Sequence, residues 1–501
     1  MIKLFGRGGA DHPMADAREA RRMLDALPAQ DPCKALEELA EWHESVSQSE
    51  GFRPEQRIER LLWIDDAAQA RVVRLARDYL AQARPTRFQE NRMWLAAHGY
   101  WREAGLAFAR AVDLFAQGAK GAEAARPALP QLLVRCLRAL AQQIKWVHLR
   151  YGPYDTAVWA TFNKVYAFAE ARKLAQTAST ANPGISGAST PQLEFLRGAL
   201  FAASSPEGLL PVEIDLAERL VTGLAGRFAL ATAASAALPY WTDLAKAMAP
   251  QRSLQQPPAA PGLRWLGAGA ALAEAKAIAE RVRATDTVPA GLNLDARAMP
   301  EEVLGVLEHL VMYWSPQPPE RKFQRHNVQS RLSVSNGLKG VIDTLGGPGA
   351  GGAERWVIEN VSAGGFGALV PQVKGDWLRV GALVAMQPDG GSNWLAGLVR
   401  RVNKSAGQQA RVGIQTLSRV PAVSQFALSG ARGTAEQGVL LKGDDPASSE
   451  VRIALRPGVF APGQNLEATR DGRQYIYVPT GVGARGEDYE IGRFRELVRD
   501  G

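Results

Sequence analysis

Cysteine and histidine are both scarce in this chain. Only two of its 501 residues are cysteines, Cys33 and Cys136, and each lies inside a helical pattern far from the other. Their number and separation exclude a disulfide framework and a cysteine-rich zinc site, and favour a reducing, cytoplasmic environment. The six histidines do not recur at metal-ligand spacing, so we expect no metal or other cofactor.

Long apolar runs and catalytic signatures are also missing. No stretch of about eighteen apolar residues occurs, and the first residues lack the apolar segment of a signal peptide, so we expect no membrane span. The chain contains no Gly-x-Ser-x-Gly, His-Glu-x-x-His or Walker-type sequence, and we therefore do not expect an enzyme. We interpret the carboxylate pairs Asp65-Asp66 and Asp444-Asp445 as helix caps or turns.

Positive charge exceeds negative charge. The 59 Lys and Arg residues outnumber the 51 Asp and Glu residues, which gives a net charge of +8. An excess of this sign favours anionic partners such as a nucleotide, a nucleic acid or a lipid surface, although a basic solvated surface is the preferred explanation of the bulk charge. Charge alone therefore leaves the partner open.

The first three fifths of the chain read as helical. A length of 501 residues predicts two to four domains. We expect a disordered tail over 1–13 and an all-α bundle or irregular solenoid over 14–314, because Ala, Leu, Arg and Glu dominate there. A polar loop near 177–191 marks a break between two sub-bundles. The second set includes predicted helices over 240–248 and 265–282.

From residue 327 onward, apolar and polar residues alternate and glycine becomes frequent, as is typical of strands. We predict a small antiparallel β-barrel over 327–419 and a further small β-rich module over 430–501. Asn336-Gly337 predicts a hairpin turn between strands over 328–335 and 338–345, and the Gly-rich run 346–352 predicts a loop. Further predicted strands cover 355–361, 366–370, 383–387, 394–402 and 410–417.

Two short patterns around this barrel carry the candidate chemistry. Arg321 and Arg325 lie four residues apart in a Pro-preceded linker over 315–326, and each guanidinium can bind a phosphate or the N7/O6 edge of a guanine bidentately. Asn360, Ser362 and Gly365 follow as Asn-x-Ser-x-x-Gly, which supplies an amide, a hydroxyl and a tight backbone turn. Together they suit an anionic guanine nucleotide.

The order Arg-x-x-x-Arg followed by Asn-x-Ser-x-x-Gly resembles the PilZ domain family, whose members bind the bacterial second messenger cyclic di-GMP. The resemblance covers about Arg321 to Leu417 and implies a PilZ-like barrel. It implies cyclic di-GMP-binding roles for Arg321, Arg325, Asn360, Ser362 and Gly365. His326, Arg331 and Gly364 are possible additional contacts, respectively through stacking on a base, contact with a phosphate and close approach of the backbone.

The resemblance implies a cytoplasmic receptor in which the barrel senses cyclic di-GMP and the helical domain binds a protein partner that we cannot identify. It suggests motility, pilus or biofilm control. Because the arginines lie in the linker, we expect ligand binding to order that linker. Two alternatives are a helical scaffold with a degenerate barrel that no longer binds nucleotide, and a basic barrel that binds RNA or DNA. We do not expect nucleic acid as the main partner.

Overall fold

The computed structural model describes most of the chain. The described residues are 11–81, 86–182, 187–292, 294, 298–318, 320, 323–347, 352–429, 435–443, 448–460 and 463–499. The N-terminal part is largely helical and the C-terminal part forms two closed antiparallel β-barrels, which confirms the predicted mixed α and β fold class. Most of the predicted tail over 1–13 and of the predicted Gly-rich loop over 346–352 lies outside the described residues.

The chain divides into two compact units. The first consists of Met1–Arg150, Asp155–Pro206 and Pro211–Pro319, and the second consists of Tyr151–Tyr154, Glu207–Leu210 and Glu320–Gly501. Neither unit therefore corresponds to one uninterrupted stretch of sequence.

The first unit consists mainly of helices, and several of them begin at residues that favour a helix N-terminus. Asp31 accepts a hydrogen bond from the Lys34 N–H and precedes Pro32, and Thr86 forms a capping box with Gln89. None of the described helices is long and apolar enough to cross a membrane. The helices are α1 (Ala17–Asp25), α2 (Pro32–Gln48), α3 (Pro54–Tyr79), α4 (Arg87–Ala116), α5 (Leu129–His148), α6 (Thr156–Ala171), α7 (Pro191–Ala203), α8 (Pro211–Leu224), α9 (Ala271–Thr285) and α10 (Pro300–Trp314).

The first unit also contains short strands that the sequence did not predict. A hairpin of β1 (Ser179–Thr180) and β2 (Ala188–Ser189) lies at the predicted break. A sheet of order β3-β6-β4-β5 follows, with β3 (Ala229–Ala231), β4 (Tyr240–Asp243), β5 (Gln251–Arg252) and β6 (Leu263–Gly267).

This sheet makes the predicted helix over 240–248 wrong and moves the start of the predicted helix over 265–282 to Ala271. Trp241 and Trp265 lie opposite each other in the β4–β6 pair. Aromatic residues pack well across neighbouring strands, and this cross-strand pairing outweighed the local helical pattern.

The first barrel carries the candidate ligand residues. Its antiparallel strands follow the order β10-β11-β12-β9-β8-β7, and β7 pairs with β10 to close it. Inward residues such as Leu332, Val334 and Trp356 are buried, whereas Arg331 and Arg355 are exposed, as the two-residue period of a strand requires. The strands are β7 (His326–Asn336), β8 (Glu354–Ser362), β9 (Gly365–Val370), β10 (Leu383–Pro388), β11 (Leu395–Lys404) and β12 (Ala410–Ser418).

The predicted hairpin at Asn336-Gly337 is wrong. Gly337 starts a helix, α11 (Gly337–Gly346), instead of a second strand. Leu338, Val341 and Ile342 follow helical spacing and are all buried, and the Asp488 Oδ2 accepts a hydrogen bond from the Leu338 N–H at 2.6 Å. The positive φ of Gly337, +74°, serves the entry to this helix rather than a two-residue hairpin.

The C-terminal β-rich segment is a second closed barrel. Its antiparallel strands follow the order β13-β14-β15-β18-β17-β16. If the strands of each barrel are numbered one to six along the chain, both barrels have the cyclic order 1-2-3-6-5-4. The strands are β13 (Ala422–Leu428), β14 (Glu436–Lys442), β15 (Glu450–Leu455), β16 (Leu466–Arg470), β17 (Arg473–Arg485) and β18 (Glu490–Arg499).

One apolar cluster joins the two barrels. It combines Val341 of α11, Leu398 of the first barrel, and Val439 and Tyr489 of the second. The Tyr489 hydroxyl also donates a hydrogen bond to the Gly381 carbonyl at 2.6 Å. Since the barrels bury side chains in a common core, we expect them to fold as one body.

Two short segments that belong to the second unit come from much earlier in the sequence. The Lys404 N–H of β11 donates to the Tyr151 carbonyl at 2.8 Å, and the Tyr151 hydroxyl donates to the Leu209 carbonyl at 2.9 Å. Arg401 forms an ion pair with Glu207. The end of β11 therefore depends on residues far from the barrel in sequence.

A buried polar network lies among the helices of the first unit. Asp65 accepts hydrogen bonds from the Tyr100 hydroxyl at 2.6 Å, from Asn182 at 2.6 Å and from Arg135 at 3.0 Å. Asp65 and Asp66 lie inside α3, so their interpretation as caps or turns is wrong. Asp444 and Asp445 lie outside the described residues. The buried carboxylate is stabilised because its charge is paired with Arg135 and its oxygens accept hydrogen bonds.

His43 lies beside this network without taking part in it. Its side chain is completely buried, and neither ring nitrogen has a hydrogen-bond partner among the described residues. The ring contacts Tyr100 and Phe108, with centroid distances of 5.7 and 5.4 Å. Burial lowers the pKa of His43 from 6.5 to about 4, against a smaller opposing effect of Asp65.

We expect the first unit to lose stability as the pH falls from 6.5 towards 4. In this range the unfolded chain binds a proton at His43 that the folded chain does not, which lowers the free energy of unfolding by up to about 3 kcal/mol. Burial also lowers the pKa of His98 to about 4, which acts in the same direction. His43→Leu removes the first contribution, and thermal unfolding at pH 7.5 and pH 5 measures it. His326→Leu, at an exposed position, is the control; equal pH sensitivity of wild type and His43→Leu contradicts the prediction.

Candidate ligand-binding site

The Asn-x-Ser-x-x-Gly sequence forms the hairpin between β8 and β9. Ala363-Gly364, which we call the motif turn, connects the two strands, and Ser362 pairs with Gly365 beside it. The Ser362 hydroxyl donates a hydrogen bond to the Gly365 carbonyl at 3.3 Å. The half-buried Ser362 is therefore held at the turn, where part of its surface remains accessible.

Gly365 is required by the approach of β9 to β12. Its φ is +150°, and a β-carbon added there would overlap the carbonyl oxygen of Ile414. Gly365 also forms the last pair of the two strands, opposite Gln415. Only glycine leaves room for this approach of the two backbones.

The Asn360 side chain lies over a second glycine. A β-carbon at Gly367 would lie 2.6 Å from the Asn360 Nδ2 and 2.7 Å from its Oδ1. Asn360 and Gly367 are cross-strand partners beside a bulge in β8. The missing side chain of Gly367 thus makes space for the amide, which is half-buried.

Both carbonyls of the motif turn accept hydrogen bonds. The Thr416 N–H of β12 donates to the Gly364 carbonyl at 3.0 Å. The Arg419 Nη2, just beyond the end of β12, donates to the Ala363 carbonyl at 3.0 Å. These bonds fix the turn from the β12 side.

The segment just before Arg325 contacts the same turn through Phe323. The Phe323 ring lies against Gly364, since a β-carbon on that glycine would lie 2.7 Å from the Phe323 Cδ2. Arg325 is exposed, and its side chain makes no hydrogen bond or ion pair within the described part of the chain. Arg321 lies outside the described residues.

The additional candidates occupy two places. His326 is exposed and pairs with Val361, and Gly364 is in the motif turn. Arg331 lies five residues further along β7, opposite Val357, which is about 16 Å along the strand. The structure thus brings His326 and Gly364 together with Arg325, Asn360, Ser362 and Gly365, whereas Arg331 lies away from this group.

Sequence reasoning missed Phe323 and Arg419. Phe323 lies between the two arginines, and an aromatic residue inside the pattern was the available signal. No local sequence pattern points to Arg419, because its position beside the turn follows from the pairing of β9 with β12.

The assembled groups suit an anionic ligand. A guanidinium, an amide, a hydroxyl and a tight backbone turn provide charged and neutral hydrogen-bond donors within one small surface. No cluster of His, Cys, Asp and Glu among the described residues could hold a metal ion. The candidate site therefore offers hydrogen-bond donors suited to recognition of an anion.

The N-terminal part of the chain matches a known protein family. Residues 18–237 match the family model described as the N-terminal domain of the cyclic-di-GMP receptor FimW. The matched part runs from α1 to the segment after β3 and does not include the barrels. No curated protein matches the chain.

Gly365→Ala tests the close approach of β9 and β12. We expect it to destabilise the second unit by about 2 kcal/mol or more, because the added methyl group overlaps a backbone atom in a strained conformation. Chemical denaturation followed by circular dichroism measures the loss. Gly407→Ala is the matched control, since φ there is +93° but no atom lies within 4 Å of the added group. An equal loss in both variants attributes the effect to backbone conformation alone and contradicts the steric argument.

Proposed function

We propose that this protein is a receptor for cyclic di-GMP and that the first barrel binds the nucleotide at the motif turn. The contact of Phe323 with Gly364 carries the proposal, because it brings the arginine segment to the turn that holds Asn360 and Ser362. The match of residues 18–237 to the N-terminal domain of a cyclic-di-GMP receptor supports it from a separate part of the chain.

Each group has a role that its chemistry suits. Arg321 and Arg325 bind the phosphates or the guanine N7/O6 edges, since a planar guanidinium can bind either bidentately. Asn360 and Ser362 add neutral hydrogen bonds, and Gly365 keeps the turn tight. A charge-assisted hydrogen bond contributes about 1.5–3 kcal/mol net. Two such arginines with the polar groups account for about micromolar affinity, or about 8 kcal/mol.

The proposed output is a protein interaction and not a reaction. The sequence contains no recognised catalytic signature, and the family that matches the N-terminal part is described as a receptor. We propose that nucleotide binding at the first barrel changes how the helical unit binds a protein partner, with motility, pilus or biofilm control as the setting. The PilZ resemblance supplies that setting.

Calorimetric titration with cyclic di-GMP tests ligand binding. We expect the wild type to bind with a Kd of about 1 μM and Arg321→Ala/Arg325→Ala to lose detectable binding, because both forks are removed. Arg411→Ala/Arg456→Ala is the matched control, since it removes two exposed arginines that pair with Glu359 and Glu436. No heat from a folded wild type favours the scaffold alternative. Tight, strongly salt-dependent binding to polynucleotide instead favours the RNA or DNA alternative.

Hydrogen exchange tests whether binding is communicated to the helical unit. We expect cyclic di-GMP to slow amide exchange near 323–326 and 360–365 and also to change exchange within the helices α5, α6, α7 and α8, outside 151–154 and 207–210. The first change reports the site and the second reports the coupling. Changes confined to the first barrel agree with the proposed receptor but contradict the proposed coupling to the helical unit.

A further inference from the structure

We propose that Arg419 is a third arginine of the binding site and that it contacts a phosphate of the nucleotide. Arg419 follows β12 and lies in the connection to β13. Its Nη2 donates to the carbonyl of Ala363, which places the guanidinium at the motif turn. The inference rests on the proposed function, because it assigns a further contact to the same site.

The backbone around Arg419 is held in place. The Asn393 Nδ2 donates to the Arg419 carbonyl at 2.6 Å, and the Val420 N–H donates to the Ser418 Oγ at 3.3 Å. Thr416, three residues earlier, binds the motif turn through its N–H. The connection between the barrels thus presents Arg419 to the turn from a fixed position, so little ordering of the backbone is needed when a ligand binds.

The hydrogen bond to the Ala363 carbonyl does not by itself require a charged side chain. Ala363 is exposed, and water can satisfy an exposed carbonyl as well as a side chain can. An arginine in this position instead adds positive charge at the motif turn, next to Ser362 in sequence. A guanidinium has five N–H donors, so one that binds a carbonyl can also bind a phosphate oxygen.

A phosphate fits this position better than a base edge. Cyclic di-GMP carries two phosphates and two guanines. In the proposed site, the guanidinium groups of Arg321 and Arg325 bind groups of both kinds. A third cation at the motif turn adds to the positive charge available for the two phosphates. If Arg419 binds a phosphate, lysine can replace it as a point charge, whereas a guanine edge requires the planar fork.

Four variants separate a ligand contact from support of the turn. We expect Arg419→Ala to weaken cyclic di-GMP binding about 10-fold or more, because one charge-assisted contact is lost. Arg419→Lys should stay within about 3-fold of the wild type. Arg419→Gln keeps a donor for the Ala363 carbonyl but removes the charge, so it should bind as weakly as Arg419→Ala. Arg456→Ala, an exposed ion-paired arginine of the second barrel, is the control and should bind as the wild type does.

The measurements are calorimetric Kd values at 50 and 300 mM NaCl, with melting temperatures to confirm folding. The salt dependence of Kd should be smaller for Arg419→Ala and Arg419→Gln than for the wild type, since fewer charges meet the phosphates. Wild-type affinity in Arg419→Gln overturns the inference and assigns Arg419 to the turn alone. Wild-type affinity in Arg419→Ala overturns both roles. A folded wild type that binds no cyclic di-GMP overturns the proposed function itself, which is a distinct result.

Discussion

The close approach of β9 to β12 is the constraint on which the candidate site depends. Because Gly365 has no side chain, its backbone can lie against Ile414, and the pairing of the two strands includes the first residue of β9. Ser362 pairs with Gly365 and Asn360 pairs with Gly367, so both residues lie close to the motif turn. The same pairing carries β12 past the turn, so residues just beyond the strand reach it from the other side. A glycine thus determines which side chains meet there, although it supplies none of its own.

The second barrel shows that strand order alone does not assign a ligand. Both barrels have the cyclic order 1-2-3-6-5-4, and they share an apolar cluster through α11. In the first barrel the second and third strands are joined by the two-residue motif turn, and Asn360, Ser362 and Gly365 lie in the strands on either side of it. The corresponding connection in the second barrel spans 443–449 and has no Asn-x-Ser-x-x-Gly sequence. The candidate ligand residues thus lie in the first barrel, and the second barrel shares its apolar cluster.

Much of the first barrel could be predicted because apolar and polar residues alternate regularly along its strands. Predicted strands over 355–361, 383–387 and 410–417 agree with β8, β10 and β12 to within one residue at either end. The prediction failed at Asn336-Gly337, where glycine in a left-handed conformation serves a helix entry as well as a hairpin. It also failed around Trp241, whose partner lies more than twenty residues away. The glycines and polar groups of the site could be named from local spacing, but Arg419 depends on strand register, which local spacing does not contain.

Residues 151–154 and 207–210 bear on how this chain could have evolved. Because the Lys404 N–H donates to the Tyr151 carbonyl and Arg401 pairs with Glu207, a barrel inherited without these two segments would lose both interactions. Insertions or deletions between α5 and α6, or between α7 and α8, would therefore affect the first barrel. Recombination at a single point therefore cannot exchange the helices and the barrels as independent modules. We expect substitutions in these two helix connections to covary with substitutions in β11.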